Sequence, residues 1–338
     1  MSSTDWQAAL RAITEKKHRT SLAESEARNK ALIAIIEERE KQLELLIDIS
    51  DSRPQVARIQ MDKSKDAEAT AFALATDWHA EETVEPAAVN GLNEFNLAIA
   101  EQRIKRFFQR VVRLTEIQRA GCDIKRLVLF LGGDLMTGYI HEELQESNSL
   151  SPTQTLLWLQ DQIVSGIKFL QPHFEEIVVP CCYGNHGRNT QKPRFSTGAA
   201  NSYEWMLYKI LSKQDFGKGA KVTWHVSEGY HLLLNCYDKL IRFHHGDGLK
   251  YQGGIGGLTI PVEKAIAAWN KGITADLDVF GHWHQSQQNP KWVCNGSLIG
   301  FNAYSVRIKA PYELPSQTYF LFDKKRGRTI TTPIFLDE

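Results

Sequence analysis

Histidine, aspartate and asparagine side chains gather in five short segments of this sequence, and each segment follows an apolar run. The segments are residues 77–79 (DWH), 132–134 (GGD), 184–186 (GNH), 244–247 (HHGD) and 281–284 (GHWH). Together they contain six of the 11 histidines of the chain. A set of oxygen and nitrogen donors without thiolates suits Mn²⁺, Fe, Zn²⁺, Ni²⁺ or Mg²⁺ better than a structural zinc site. The pattern therefore predicts a metal centre at the ends of several strands.

The spacing within these segments indicates how the ligands would reach a metal ion. In Asp-x-His and His-x-His, residues i and i+2 point to the same side of an extended backbone, so both can face one ion. The neighbouring glycines let the backbone pass close to a crowded, charged centre. These segments supply seven candidate ligands. Seven are too many for one tetrahedral ion. They suit two ions about 3.5–4 Å apart that share a carboxylate and clamp a phosphate around a bridging hydroxide.

Turn formation is the simpler interpretation of each segment taken alone. In residues 183–188 (YGNHGR), glycine and asparagine are the residues that tolerate a positive φ, so a plain turn would explain them. Unrelated turns would not explain why each segment follows a predicted strand. The shared placement favours metal chemistry.

The elements that position these segments begin at about residue 69, where strands and helices start to alternate. The predicted strands cover residues 70–76, 126–131, 176–182, 222–226, 231–236, 240–244, 277–280, 292–294 and 318–322. The predicted helices cover residues 91–119, 153–171, 200–213 and 261–271. Alternation early in the chain, followed by several consecutive strands, is typical of an α/β sandwich rather than a barrel.

The helix predicted over residues 91–119 has a clear apolar face. Its members are Phe95, Ile99, Phe107, Val111 and Leu114. We expect the four arginines of this helix to lie mostly outside that face, at positions 103, 106, 110 and 113.

The N-terminal region is rich in Ala, Glu, Lys, Arg and Leu. Its apolar residues follow a helical stripe of Leu22, Leu32, Ile36, Leu43 and Leu46. The proline in residues 51–54 (DSRP) ends this pattern, and the polar residues 61–68 indicate a linker. We therefore predict a helical arm over residues 1–60 and a catalytic domain over residues 61–338. The arm is either a coiled coil that forms a homo-oligomer or an amphipathic helix packed on its own domain, because the stripe covers few heptads.

Composition excludes several classes of protein. Lys plus Arg and Asp plus Glu both total 40, so no overall basic field attracts nucleic acid, and a polyanion would need a local patch or bound metal. The five cysteines form no C-x-x-C pair, which favours reduced thiols. The N-terminus lacks a signal-peptide profile, and no stretch approaches the roughly 20 apolar residues that span a bilayer. We expect a cytoplasmic protein without a membrane contact.

Taken in order, the motifs D-x-H, G-D, G-N-H, H-G and G-H-x-H resemble those of the calcineurin-like metallophosphoesterase superfamily over about residues 69–300. The resemblance implies a four-layer α-β-β-α sandwich that hydrolyses phosphate esters with two metal ions and a metal-bridging hydroxide. The sequences of residues 90–93, 184–188 and 245–254 are similar to those of metallophosphoesterases from tailed bacteriophages and prophages. Those proteins are often described as relatives of DNA repair exonucleases. A phage origin would place the protein in the bacterial host cytoplasm.

The resemblance also implies a role for each matching residue. One metal ion would be held by Asp77, His79, Asp134 and His284, and the other by Asp134, Asn185, His245 and His282. Asp134 would bridge the two ions. His186 would not be a ligand; it would lie beside the scissile phosphate, stabilise the transition state and could protonate the leaving oxygen.

Two positions depart from the usual pattern of the superfamily. An acidic residue usually follows Gly-Asn-His, whereas this chain has Gly187 and then Arg188. Arg188 is either a bidentate phosphate ligand of the catalytic site or a solvated loop charge. The adjacent His244 and His245 leave one metal ligand ambiguous. We prefer His245 because the ligand in the superfamily directly precedes Gly.

Mostly from this resemblance, we expect a phosphodiesterase or nuclease that acts on DNA with two divalent ions, Mn²⁺ ahead of Fe, Zn²⁺, Ni²⁺ or Mg²⁺. Arg188, Lys192 and Arg194 are candidates for a basic patch that binds the substrate. A phosphomonoesterase or a cyclic or other nucleotide phosphodiesterase is the alternative. An assembly protein that oligomerises through its helical arm, with a metal domain of reduced activity, is the alternative from a different class.

Overall fold

The structure, a computed structural model, describes residues 3–51, 67–250 and 257–337. It divides the chain into two compact units, Met1–Asp62 and Lys63–Glu338.

The first unit contains one helix, α1 (Ser3–Asp51), among its described residues. Its 49 residues give it a length of about 74 Å. The stripe that the sequence predicts is exposed by 47–63%, and it consists of Leu22, Leu32, Ile36, Leu43 and Leu46. The linker predicted over residues 61–68 lies outside the described residues except for its last two positions, which begin a strand.

The second unit is built of alternating strands and helices. Its described strands are β1 (Ala67–Ala75), β2 (Cys122–Leu131), β3 (Glu176–Cys181), β4 (Val222–Val226), β5 (Leu232–Cys236), β6 (Lys239–Phe243), β7 (Leu277–Phe280), β8 (Gln287–Asn289), β9 (Trp292–Cys294), β10 (Ser316–Asp323) and β11 (Gly327–Phe335). Its described helices are α2 (Leu97–Gln118), α3 (Leu144–Ser147), α4 (Pro152–Leu170), α5 (Tyr203–Leu211), α6 (Thr259–Trp269) and α7 (Ala303–Ile308). Each predicted strand and helix of this unit is present, and the ends differ by a few residues.

Two sheets form the centre of the second unit. The first has the strand order β11-β10-β1-β2-β3-β4, in which β1 to β4 are parallel and β10 and β11 are antiparallel to their neighbours. The second has the order β5-β6-β7-β9-β8, in which β6, β7 and β9 are parallel. Because parallel strands end at one edge of a sheet, the loops that follow them are brought together.

Apolar side chains join the sheets and helices into four layers. Phe72 of β1 stacks on Phe320 of β10 with ring centroids 4.6 Å apart, and Phe130 of β2 meets Phe243 of β6 between the sheets at 4.9 Å. Each such ring stabilises the fold by about 1.5–3 kcal/mol when buried. Helices α2, α4 and α5 cover the outer face of the first sheet, and α6 covers that of the second through residues such as Val262. The predicted α-β-β-α sandwich is confirmed.

Helix α2 begins at Leu97 rather than at residue 91. Asn96 caps it, because its side chain accepts a hydrogen bond from the Ile99 amide at 3.0 Å. The residue before the cap takes part in a β-bridge, which keeps the preceding segment out of the helix.

Arg103 of α2 is buried, so the prediction that it lies outside the apolar face is wrong. Its guanidinium donates to the carbonyls of Leu298 and Ile299, each at 2.9 Å, and to the Asp337 carboxylate at 3.0 Å. A buried charge is tolerated when it is paired and hydrogen-bonded. These acceptors come from distant parts of the chain, so the pattern of the helix does not indicate them.

Four further elements, one of them the single-turn helix α3, have weak sequence patterns and lie outside the predicted ones. Strand β8 consists of three polar residues (QQN) and is held by antiparallel pairing with β9. Strand β11 contains Pro333, which is tolerated because this strand lies at the edge of its sheet. Helix α7 has only six residues, and Asn302 caps it. None of the described helices is long and apolar enough to cross a membrane.

The exposed stripe on α1 allows a test of the predicted coiled coil. Deleting residues 1–60 should reduce the mass measured by light scattering from that of an oligomer to that of one shortened chain, because the apolar contact between helices is lost. In the full-length protein, Ile36→Glu combined with Leu43→Glu should have the same effect, whereas Glu37→Gln beside the stripe should not. An unchanged mass after the deletion would reject oligomerisation through this helix.

Candidate metal centre

The loops after β1, β2, β3, β6 and β7 carry the five segments and converge where these strands end. The Asp77 amide donates to the Gly133 carbonyl at 3.0 Å, which joins the loops after β1 and β2. The His282 amide donates to both Asp77 carboxylate oxygens at 2.9 Å, which joins the two sheets. The Gly281 amide donates to the His245 carbonyl at 2.8 Å. Hydrogen bonds therefore hold together segments up to 205 residues apart in sequence.

The first cluster consists of Asp77, His79 and His284, whose ligand atoms all lie within 4.8 Å of one another. His284 Nε2 lies 3.5 Å from Asp77 Oδ1. His79 Nδ1 lies 3.1 Å from the Thr137 hydroxyl, whereas His79 Nε2 is buried and has no hydrogen-bond partner in the described part of the chain. A buried polar atom without a partner is costly. This nitrogen therefore fits a bound metal ion.

The second cluster consists of Asp134, His245 and His282, whose ligand atoms also lie within 4.8 Å of one another. His245 Nε2 lies 2.9 Å from Asp134 Oδ2 and 3.2 Å from Asn185 Oδ1. His282 Nδ1 lies 3.3 Å from the same nitrogen. His245 Nδ1 lies 2.8 Å from the Gly132 carbonyl and donates to it, which fixes the ring with Nε2 toward the cluster.

Asp134 belongs to the second cluster and also lies close to His79 of the first. Its Oδ2 faces His245, and its Oδ1 accepts a hydrogen bond from the His186 amide at 2.8 Å. Asp134 also forms a third group with His79 and His186, again within 4.8 Å. The structure thus brings together all seven predicted ligands. Their binding of metal, and the bridging role of Asp134, remain predictions.

Burial and mutual proximity shift the protonation of these side chains. Burial and the neighbouring imidazoles lower the pKa of His79 well below its ordinary value, and burial with the nearby His245 lowers the pKa of His282 to about 3. Burial also disfavours the charged form of His245, but the Asp134 carboxylate outweighs it and raises the pKa of His245 well above its ordinary value. The neutral imidazoles of His79 and His282, together with the carboxylates, are donors that divalent cations accept. The residues present therefore fit such ions.

Five predicted ligands have a left-handed backbone. They are Asp77 (φ 54°), His79 (φ 46°), Asp134 (φ 49°), His282 (φ 70°) and His284 (φ 52°). The expectation that extended backbone points both ligands of Asp-x-His and His-x-His to one side is therefore wrong. Tight turns after the strands aim these side chains at the site instead. Such conformations cost about 1–3 kcal/mol each and persist only where the surrounding structure imposes them.

Two glycines lie directly against the carboxylates. A Cβ on Gly184 would lie 2.1 Å from Asp134 Oδ1, and a Cβ on Gly281 would lie 2.2 Å from Asp77 Oδ2. Neither distance leaves room for a methyl group. At these positions glycine is required because the backbone approaches a carboxylate closely.

His186 is half-buried and lies beside both clusters. Its Nδ1 lies 2.9 Å from the Thr137 carbonyl, and because a carbonyl only accepts, Nδ1 donates this hydrogen bond. Its ring packs edge-on against His79 with centroids 4.7 Å apart. Burial lowers the pKa of His186. Its Nε2 is the ring nitrogen that takes no part in this hydrogen bond.

Arg188 is half-buried and braces the loop that follows β3. Its Nη1 donates to the Asn185 carbonyl at 2.7 Å, and its Nε donates to the Thr190 carbonyl at 3.2 Å. It is therefore not a fully solvated loop charge. Contact of its guanidinium with a phosphate remains a prediction.

His245, and not His244, faces the site. His244 is fully buried and stacks on Phe280 with ring centroids 5.0 Å apart, and it packs edge-on against Trp269, also at 5.0 Å. Its Nε2 lies 3.7 Å from Asp278. Burial lowers the pKa of His244 well below its ordinary value, so it is a neutral histidine of the core.

Glu204 is a buried carboxylate that no sequence motif indicates. Its Oε1 accepts a hydrogen bond from the Leu135 amide at 2.6 Å, and its Oε2 accepts one from the Gly184 amide at 2.7 Å. It thereby joins the loops after β2 and β3. A Cβ on Gly187 would lie 2.7 Å from Glu204 Cγ, so Glu204 fills the space beside the position where an acid was expected. Burial raises the pKa of Glu204 to about 7.

Glu81 joins the loops after β1 and β2 in the same way. One of its carboxylate oxygens accepts hydrogen bonds from the Thr137 and Gly138 amides, both at 2.9 Å. Burial raises the pKa of Glu81 to about 7. The sequence could have indicated Glu81, because it lies two residues after His79. Glu204 lies within a predicted helix, and no neighbouring motif indicates it.

Comparison with known proteins gives distant structural likenesses. No family model and no curated protein matches the chain. Among solved structures, the chain is similar to the hypothetical protein PH1004 from Pyrococcus horikoshii OT3, at 12% identity and a TM-score of 0.40, with 80% of this chain and 89% of that chain covered. It is also similar to Vacuolar Protein Sorting 29 from Cryptosporidium parvum (12% identity, TM-score 0.32, coverage 79% and 97%). A third is Yfce, a phosphoesterase from E. coli (13% identity, TM-score 0.30, coverage 78% and 99%). Likenesses at this level do not carry an activity or a substrate over to this chain.

Replacing Glu204 tests its part in holding the site. Glu204→Ala should lower the free energy of unfolding by about 2–4 kcal/mol, because the buried amides of Leu135 and Gly184 lose their acceptor. It should also weaken Mn²⁺ binding in isothermal titration calorimetry, because the two loops are no longer joined. Glu228→Ala is the matched control, since Glu228 is exposed and pairs with Lys209 at the surface, and it should change neither quantity. Wild-type stability and metal affinity in Glu204→Ala would contradict this role.

Proposed function

We propose that this chain is a metal-dependent phosphoesterase with a dinuclear centre. The observation that supports the proposal is the convergence of two clusters of ligand side chains on one shared carboxylate, that of Asp134. His79 Nε2 is buried without a partner among the described residues, and the ligand positions have a strained backbone. Both features are typical of a site built for a ligand rather than for packing.

In this proposal each cluster holds one divalent cation. Asp134 would be a further ligand of the cation in the first cluster, and Asn185 a further ligand of the cation in the second. Bound there, the cations would neutralise the phosphate oxygens and lower the pKa of water. We propose Mn²⁺ ahead of Fe, Zn²⁺, Ni²⁺ or Mg²⁺, all of which accept carboxylate, amide and imidazole donors.

The side chains around the clusters would perform the remaining steps. With Nδ1 held by the Thr137 carbonyl, His186 directs Nε2 toward the substrate. When the ring is protonated, Nε2 donates a hydrogen bond to a phosphate oxygen and can then transfer its proton to the leaving oxygen. Arg188, braced against the Asn185 carbonyl, adds positive charge in the same loop.

A phosphodiester, and DNA in particular, is the substrate class that we propose. The chain as a whole has a formal net charge of zero. Basic side chains nevertheless follow His186 directly in sequence, at Arg188, Lys192 and Arg194. Such a local patch is where a polyanion would be held.

Two model esters test this function. With Mn²⁺ added, the purified protein should hydrolyse bis-p-nitrophenyl phosphate faster than p-nitrophenyl phosphate. The opposite preference would favour a phosphomonoesterase. If protein that measurably binds two ions hydrolyses neither ester, the proposal of an enzyme is rejected and the alternative of an assembly protein is favoured.

A histidine variant tests the assigned roles in the same assay. His186→Ala should lower kcat by about 10²-fold or more while the metal content measured by mass spectrometry stays unchanged, because the ring acts on the substrate. His225→Ala, which removes an exposed imidazole of β4, should leave both quantities at wild-type values. Loss of metal from His186→Ala would mean that this residue is a ligand instead.

A further inference from the structure

The loop between His186 and α5 has an unusual composition. Residues 187–203 contain Arg188, Lys192 and Arg194 but no Asp or Glu. The whole chain has equal numbers of acidic and basic residues, so this segment departs from the average toward positive charge. The loop starts directly after the residue that we assign to the substrate.

Both ends of this loop are held beside the site. The Asn189 amide donates to the Asn201 carbonyl at 3.0 Å, and the Tyr203 amide donates to the Gly187 carbonyl at 2.8 Å. Asn201 immediately precedes Ser202, which caps α5. The intervening residues therefore form a hairpin-like excursion from a fixed base, and residues 191–197 are exposed along its length.

Phe195 lies near the tip of the excursion and is 95% exposed, the highest value among the large apolar side chains of the described residues. Lys192 and Arg194 are exposed on the same short stretch. A phenyl ring held in water is unfavourable on its own. An aromatic ring beside cations is typical of surfaces that stack nucleobases and pair with the phosphates between them.

We propose that this loop binds single-stranded nucleic acid, with a base stacked on Phe195 and phosphates paired with Lys192 and Arg194. The inference deepens the proposed function, since the bound strand would lead to the phosphodiester beside His186. Bases in a duplex are already stacked on one another, so a single strand offers the free ring face that Phe195 requires.

The test measures binding and catalysis separately in the full-length protein with Mn²⁺. Fluorescence anisotropy gives the Kd for a labelled oligothymidylate with a non-hydrolysable backbone and for a duplex of equal length. Hydrolysis of bis-p-nitrophenyl phosphate reports on the metal site alone, because this ester is too small to span the loop. The variants are Phe195→Ala and the double variant Lys192→Gln with Arg194→Gln.

Matched controls come from the N-terminal ends of the strands of the first sheet, opposite the strand ends that carry the site. Phe169→Ala removes an aromatic ring that is 42% exposed at the end of α4, where the chain returns to the start of β3. Lys218→Gln with Lys221→Gln removes two exposed charges before the start of β4. Neither control should change oligonucleotide binding.

Phe195→Ala should raise the Kd for the single strand by about 5- to 150-fold, the range of one lost stacking contact, and should change the Kd for the duplex far less. The double variant should reduce the slope of log K against log salt by about 1.4, since each phosphate contact on a single strand contributes about 0.7. Phe195→Ala and both control variants should hydrolyse bis-p-nitrophenyl phosphate at the wild-type rate.

An unchanged Kd of Phe195→Ala for the single strand would overturn the inference. An equal loss of affinity for the duplex in this variant, or loss of its activity on bis-p-nitrophenyl phosphate, would also overturn it. Wild-type protein that hydrolyses the small ester but binds no oligonucleotide would overturn the inference and leave the proposed function standing. Binding of the single strand that depends on Phe195, in protein without any esterase activity, would support this loop and reject the proposed function.

Discussion

The carboxylate of Asp134 is the group on which the rest of the site depends. One of its oxygens lies 2.9 Å from His245 Nε2, and the other accepts the His186 amide at 2.8 Å. Burial favours its neutral form, but His245 and His186 outweigh burial and hold the pKa of Asp134 well below its ordinary value. Its charge therefore persists between two clusters of imidazoles. A pair of cations that act on one phosphate needs a shared ligand of this kind.

Packing of the four-layer fold offsets the free energy that is needed to hold the site in this arrangement. The loops that surround Asp134 have left-handed turns at about 1–3 kcal/mol per ligand residue, and Gly184 must pass against its carboxylate. Buried acceptors fasten these loops, Glu81 between the first and second and Glu204 between the second and third. The apolar side chains that pack between the sheets and on their outer faces lie away from the strand ends that carry the site. Their packing can therefore offset strain that is confined to the strand ends.

Much of this organisation is predictable from sequence, for identifiable reasons. Buried parallel strands give long apolar runs, and polar motifs after them mark the edge where ligands meet, so the sandwich and the set of converging residues follow from pattern and order. The left-handed turn at His79 does not, because it is imposed by hydrogen bonds to other loops. Glu204 and Arg103 are also beyond prediction, since each is stabilised inside the protein by backbone groups from distant segments. Local patterns indicate which residues carry chemistry, whereas the groups that hold them depend on tertiary contacts.

Electron paramagnetic resonance of the protein titrated with Mn²⁺ can show whether two cations share Asp134. We expect two ions per chain and the multiline signal of a spin-coupled pair. Asp134→Asn should lose the coupled signal. A single uncoupled ion per chain in the wild-type protein, or a coupled pair that survives in Asp134→Asn, would exclude a shared Asp134.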